Sequence, residues 1–407
     1  MDNAATTQAL PQVAAAVQHA LCLAYGNPSS LHQAGIDAEE IISTARRRLA
    51  VLLGVAQKEI VFTSGGTEAD NMAILGAARA SARQGKHIVT SAVEHTAVLS
   101  ACATLEQEGW QVTRVGVDGS GAVIPDDVAA AITDETTLVS IMAVNNEVGT
   151  VQPLTEIVAA VRARKPKVII HSDAVQALGK IPLQPARCGL DMVSVSAHKV
   201  HGPKGCGALW VRSGVRVLPL LCGGAQEGSL RPGTENVPGI AGFSAALVEL
   251  EPNLAAITRL ATYRYQFISG ILEQVSGAVL NGPAAVAAAV AAAIATADTV
   301  ATAATVPTPT AAPHICNISF PGLRGEVLLH ALANKGIYAS TGAACSSRKK
   351  SGSHVLRAMG LPAARIESAL RFSFSALTSE ADIGQAIKII AEVVAALGGV
   401  KEGIGGR

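Results

Sequence analysis

Short apolar runs alternate along much of the chain with longer stretches whose apolar residues recur every three or four positions. The runs at residues 59–63, 87–91, 112–117, 138–143, 168–172, 192–196 and 207–211 read as strands. Segments 38–53, 68–83 and 154–164 carry helical spacing. This alternation predicts α/β layers around a mostly parallel, seven-stranded sheet. Ligands on such sheets gather beyond the carboxyl ends of the strands, so candidate chemistry is sought there.

The pattern changes after about residue 251. Two further strands are expected at 314–320 and 370–375, with helices around them, giving a smaller α+β domain. The expected division is an arm at 1–11 packing with the small domain, a large domain at 12–250 and a small domain at 251–407. Within the last lies an insertion at 284–312, almost all Ala, Val, Thr and Pro. Its first part has the length of a membrane span. Alanine is barely apolar enough to insert, Asp298 interrupts the run, and the Thr/Pro end reads as a linker. A surface insertion is expected, not a transmembrane helix.

Composition narrows the classes. The chain has 407 residues, too many for one compact core. Apolar residues make up 49% but aromatic ones only 3%, so Ala, Val, Leu and Ile must build most of the core. A net charge of +1 gives no basic excess for nucleic acid. The start, MDNAATTQAL, lacks the basic and apolar regions of a signal peptide. Seven scattered cysteines without a CxxC pair argue against a disulfide framework or a zinc site and fit a reducing cytosol. No metal site is expected.

Three local signals carry chemistry. IVFTSGGTE at 60–68 runs into a helix; Gly65 and Gly66 permit close backbone approach, and Thr67 with the first helical N–H groups can hold an anion. A capped glycine turn is the alternative. VIIHSDAVQ at 168–176 ends an apolar strand in Asp173, either a helix cap or a partner for a cationic ring nitrogen. VSVSAHKVHGPKG at 193–205 places Lys199 after a buried-looking strand, where a desolvated amine can condense with an aldehyde. An anion cradle, an acid at one strand end and a lysine at a later strand end are what pyridoxal 5'-phosphate requires.

The chain resembles the cysteine desulfurases of aminotransferase class V, on the fold type I of pyridoxal-phosphate-dependent transferases. The resemblance rests on DNAATT (2–7), YGNPSSLH (25–32), TSGGTEADN (63–71), VEHTAVL (93–99), NNEVGT (145–150), HSDAVQALGK (171–180), SAHKVHGPKG (196–205), RPGTEN (231–236) and STGAACSS (340–347), in family order.

The resemblance implies that Lys199 binds the cofactor and moves the substrate Cα proton. Asp173 pairs with the ring nitrogen, Gln176 bonds the ring hydroxyl oxygen, and His95 stacks on the ring. Gly66, Thr67, Ser196 and His198 hold the phosphate. Thr234 reaches the phosphate of a partner subunit in a homodimer. Asn146 lies near ring and substrate, and Arg371 takes the substrate carboxylate, for which its planar fork is suited. Cys345 accepts the sulfur as a persulfide. It lies among Gly, Ala and Ser and is followed by Arg348, Lys349 and Lys350, and such cations favour the thiolate. The other six cysteines are expected to be small core residues.

The implied activity is conversion of L-cysteine to L-alanine, with sulfur passed to an acceptor protein for iron–sulfur cluster assembly or tRNA thiolation. The implied setting is cytoplasmic, without direct nucleic acid or membrane contact. Selenocysteine lyase and another class V aminotransferase share the fold and most motifs. A non-catalytic scaffold on the same fold would leave cofactor roles vacant.

Overall fold

The computed structural model describes residues 1–250, 254–284, 310–341 and 352–404. Most of the expected insertion at 284–312, and Cys345, lie outside the described residues.

Seven strands form the main sheet: β1 (Ile60–Thr63), β2 (His87–Ser91), β3 (Gln111–Val115), β4 (Thr136–Ser140), β5 (Ile169–Asp173), β6 (Met192–Ser196) and β7 (Gly207–Val211). Their order is β1-β7-β6-β5-β4-β2-β3, and β7 alone runs against its neighbours. Every residue of β2, β4, β6 and β7 is buried, as expected for strands covered on both faces. Only β3, at the edge, has exposed positions, Gln111 and Arg114.

Successive side chains leave a strand on opposite faces, and the core divides accordingly. Phe62, Val89, Val139, Ile170, Val193 and Trp210 join one cluster with the helices Gln33–Leu53, Leu154–Arg164 and Val237–Val248. Val61, Ile88, Leu138, Ile169, Met192 and Leu209 join another with Met72–Ile74 and the helix Thr96–Gln107. Small residues let the helices close in. A Cβ on Gly242 would lie 2.7 Å from Val17 Cγ2 on the helix Pro11–Cys22.

The second sheet is antiparallel, in the order β10-β9-β8, from β8 (Val279–Asn281), β9 (Ile315–Ser319) and β10 (Ala369–Ser373). Four of the six phenylalanines, Phe267, Phe320, Phe372 and Phe374, pack here. The Phe267 ring centroid lies 4.9 Å from that of Phe372 and 5.4 Å from that of Phe374. This core is therefore aromatic, unlike the Ala/Val/Leu/Ile core around the main sheet. The first residues bridge the two layers: Ser373 N–H donates to the Met1 carbonyl, while Thr7 N–H donates to the His198 carbonyl.

Differences from the sequence reading are local. The expected helix at 68–83 is split by a π-turn at Met72–Gly76. β4 ends at Ser140 in place of 143, yet Ile141 and Ala143 still donate to the His171 and Asp173 carbonyls. β8, only three residues long, was not foreseen. Among the described residues no helix is long and apolar enough to cross a membrane.

Candidate active site

The carboxyl ends of β2, β4, β5 and β6 lie side by side, and the segments leaving them enclose a cavity of about 290 Å³. Lys199, Asp173, Gln176, His95, Asn146, Gly66, Thr67, Ser196, His198 and Arg371 all line it. Lys199 ends a 3-10 turn, Ala197–Lys199, directly after β6. Its Nζ donates to the carbonyls of Ala4 at 2.7 Å and Ala5 at 2.8 Å.

The acid side is built on one face of β5. His171 and Asp173 are two residues apart and share that face. Asp70, from the helix Gly66–Asn71, lies over it, with Oδ1 3.7 Å from His171 Nε2. Burial pushes His171 down to about 3, so the ring is neutral. Its nitrogens bond Ser140 Oγ at 2.9 Å and Ser194 Oγ at 3.0 Å. Burial, and then the charge of Asp173, pushes Asp70 well above the carboxylate range, so Asp70 is the protonated member. Burial also raises Asp173, but His95, the Val175 N–H at 2.9 Å and Lys199 oppose it. A cationic N–H donor would complete that set and hold Asp173 ionised.

His95 caps the helix Thr96–Gln107 by accepting the Ala97 N–H on Nδ1 at 3.2 Å. That contact leaves the ring proton on Nε2. Burial lowers its basicity, Lys199 and His354 add to the effect, and Asp173 opposes it. Ligand-type atoms of Asp70, His95 and Asp173 lie within 4.8 Å of one another. With Asp70 protonated and His95 Nδ1 engaged, the cluster offers a single charged ligand, which suits a pyridinium N–H better than a divalent ion.

The opposite end suits a phosphate. Ser196 Oγ is buried without a partner among the described residues, beside the first helical residues Gly66 and Thr67. Burial, then Lys199, Lys204 and Lys180, push His198 down to about 4. The Gly66 backbone is crowded by protein: a Cβ there would lie 2.6 Å from Val175 Cγ2. An unused buried hydroxyl, a buried carboxylate with room for a cationic donor, and an amine on the same cavity together fit pyridoxal phosphate.

Arg371 sits in the middle of β10, buried between Leu370 and Phe372. Its Nη1 donates to the Asn146 carbonyl at 2.9 Å and its Nη2 to Asp2 Oδ1 at 2.8 Å, while Nε has no partner among the described residues. Asp2 is thus the anion that a buried arginine needs, and it is itself held by Ser340 Oγ at 2.9 Å. Arg371 is buried but Asp2 is only half-buried, so without Arg371 the Asp2 carboxylate still reaches water while the cavity loses its planar cation. Arg371→Leu is expected to raise the KM for a carboxylate-bearing substrate roughly 100-fold, with a smaller fall in kcat. Steady-state kinetics check this, and an unchanged KM would remove Arg371 from substrate binding.

A family model described as aminotransferase class V matches residues 1–306. A cysteine desulfurase IscS of Methanosarcina thermophila is 41% identical over 398 residues, covering 97% of this chain and 91% of that protein. A cysteine desulfurase of Trichormus azollae is 42% identical, covering 97% and 92%. The chain belongs to the class V aminotransferase family, in its cysteine desulfurase branch. Solved structures of such proteins agree. A NifS-like protein superposes with a TM-score of 0.85 at 34% identity, covering 97% of this chain and 98% of that one. SspA in complex with cysteine gives 0.76 at 31% identity, covering 92% and 97%.

Of the site residues expected from sequence, the cysteine desulfurase fold gathers ten in one cavity. Thr234 is exposed and lies outside it, and Cys345 is outside the described residues. The sequence reading gave no role to Asp2, Asp70, Glu147, Lys180 or His354. Asp2, Asp70, Glu147 and Lys180 lie within the family strings, and that placement was the signal available for them. Glu147 lines the cavity and accepts Ser353 Oγ at 2.5 Å; burial raises its pKa, opposed by Ser353, His354 and Arg371. Cysteines also need a correction. Cys102, Cys206 and Cys316 are buried, but Cys188 is half-buried, and Cys22 and Cys222 are exposed. Cys22 ends its helix and Cys222 lies in irregular chain, places that pattern alone does not mark as surface.

Proposed function

We propose that this chain is a cysteine desulfurase that uses pyridoxal 5'-phosphate to convert L-cysteine to L-alanine and holds the sulfur as a persulfide on Cys345. The observation that carries the reading is the convergence of Lys199, Asp173 and Arg371 on one cavity. Lys199 would hold the cofactor aldehyde, Asp173 the ring nitrogen, and Gly66, Thr67, Ser196 and His198 the phosphate, with His95 on the ring face and Gln176 at the ring hydroxyl. When bound, the cofactor supplies an electron sink for the substrate Cα.

Arg371 and Asn146 orient the substrate by its carboxylate. The Lys199 amine takes the Cα proton and returns it during turnover. The Cys345 thiolate attacks the substrate sulfur: an S–S bond forms, the Cβ–S bond breaks, and the electron pair stays with the carbon skeleton, which is protonated to alanine. Cysteine plus enzyme thiol becomes alanine plus enzyme persulfide, so no external oxidant is needed.

The finer reading includes a homodimer in which Thr234, exposed here, serves the partner's phosphate site. It also includes a cytoplasmic setting and an acceptor protein of the iron–sulfur or tRNA-thiolation type. The two sheets with separate cores support a division at 1–11, 12–250 and 251–407. The test is incubation with L-cysteine without reductant, followed by mass spectrometry of the Cys345 peptide. One added sulfur, removed by reductant and matched by alanine, is expected. An unmodified peptide alongside steady alanine production would overturn the assignment of Cys345.

A further inference from the structure

One lysine of the HSDAVQALGK string has no part in the proposed chemistry. After β5 the chain makes a helical turn, with Lys180 N–H and Ile181 N–H returning to the Ala177 carbonyl. Gln176 and Lys180 are four residues apart and lie on one side of it. Lys180 is buried, with Nζ 3.5 Å from Gln176 Oε1. His314 Nε2, just before β9, lies 3.3 Å from the same oxygen. The other end of the amide, Nε2, donates to the Ala4 carbonyl at 2.9 Å, and that carbonyl also takes Lys199 Nζ.

This arrangement fixes the amide direction. Reversed, Gln176 would put its NH₂ against an ammonium and an imidazole N–H, and its oxygen against the Ala4 oxygen. Burial holds His314 well below its ordinary range, with Lys180, Arg371, Arg264 and Lys199 adding to the effect. The ring is therefore neutral; its Nδ1 has no partner among the described residues, and its one proton serves Gln176. A buried ammonium is costly, and a methionine would fill similar space, so a lysine at this place calls for a use.

We propose that Lys180 is a positioning residue for the cofactor lysine: with His314 it fixes the Gln176 amide, and across the shared Ala4 carbonyl its charge disfavours protonation of the nitrogen on Lys199. The inference rests on Lys199 holding the cofactor. Burial, followed by Lys199 and Arg371, brings Lys180 down to about 7, so its charge is gained or lost within the working pH range. The other groups facing this pair are Arg371, His198, His201, His314, His95 and Asp173. All of them remain when Lys180 alone is changed.

The test is a pH titration of the visible absorbance of the cofactor-loaded protein. Removing the Lys180 charge favours the protonated form, so Lys180→Met should raise the midpoint by about one pH unit. It should also steepen the curve toward that of a single site, because coupled groups titrate broadly. Lys180→Arg, which keeps the charge, should stay at or below the unmodified protein. If Lys180→Met does not fold, Lys180→Gln removes the same charge. An unshifted midpoint in the neutral variants, or an equal rise in Lys180→Arg, overturns the proposal while leaving the function intact. A protein with no visible band at all sinks the cofactor reading itself.

Discussion

Lys199→Ala is expected to give a folded protein that takes up pyridoxal phosphate without the visible band of the unmodified chain and releases alanine at least 1,000-fold more slowly. The size follows from two roles on one nitrogen. In the proposed reading the amine is both the covalent anchor and the base at the substrate Cα. Folding survives because the side chain is only half-buried. What it leaves behind is the Ala5 carbonyl without that donor, while the Ala4 carbonyl keeps Gln176 Nε2, a loss of about 1–3 kcal/mol. Absorbance, alanine release and a denaturant melt measure the three effects separately. A band of normal intensity would mean that another lysine anchors the cofactor.

Cys345→Ser separates the second half of the reaction from the first. A serine hydroxyl is not ionised near neutral pH and is a poor nucleophile toward sulfur, so sulfide and alanine output should fall to below about 1%. The visible band should remain, because Cys345 is not among the residues proposed to hold the cofactor. The pair of variants therefore splits cleanly: one loses colour and turnover, the other loses turnover alone. Normal sulfide output from Cys345→Ser would transfer the acceptor role to another thiol, and the exposed Cys222 and Cys22 would be the next candidates.

Much of this was legible in the sequence because strand ends and chemistry coincide in this architecture. Asp173 ends β5, Lys199 follows β6, and each was marked by an apolar run broken by one charged residue. The apolar runs located all seven strands of the main sheet to within a few residues. What stayed hidden depends on contacts between distant segments. Nothing near Asp2 says that it will meet Arg371, 369 residues away. Asp70 looks like a surface position on a polar helix start; only the sheet beneath it, with His171 and Asp173 on one face, makes it a protonated acid. Lys180 reads as a solvent-facing lysine after a glycine until His314 and Gln176 close around it. β8 escaped because three residues are too few to show a period.

The uneven placement of aromatic side chains sets what an optical melt can see. Both tryptophans, Trp110 and Trp210, belong to the clusters on the seven-stranded layer, while the three-stranded layer is filled with phenylalanine. Indole fluorescence during unfolding will follow the first layer and stay blind to the second. Far-ultraviolet circular dichroism registers both, so a gap between the two traces would show the layers melting as separate units.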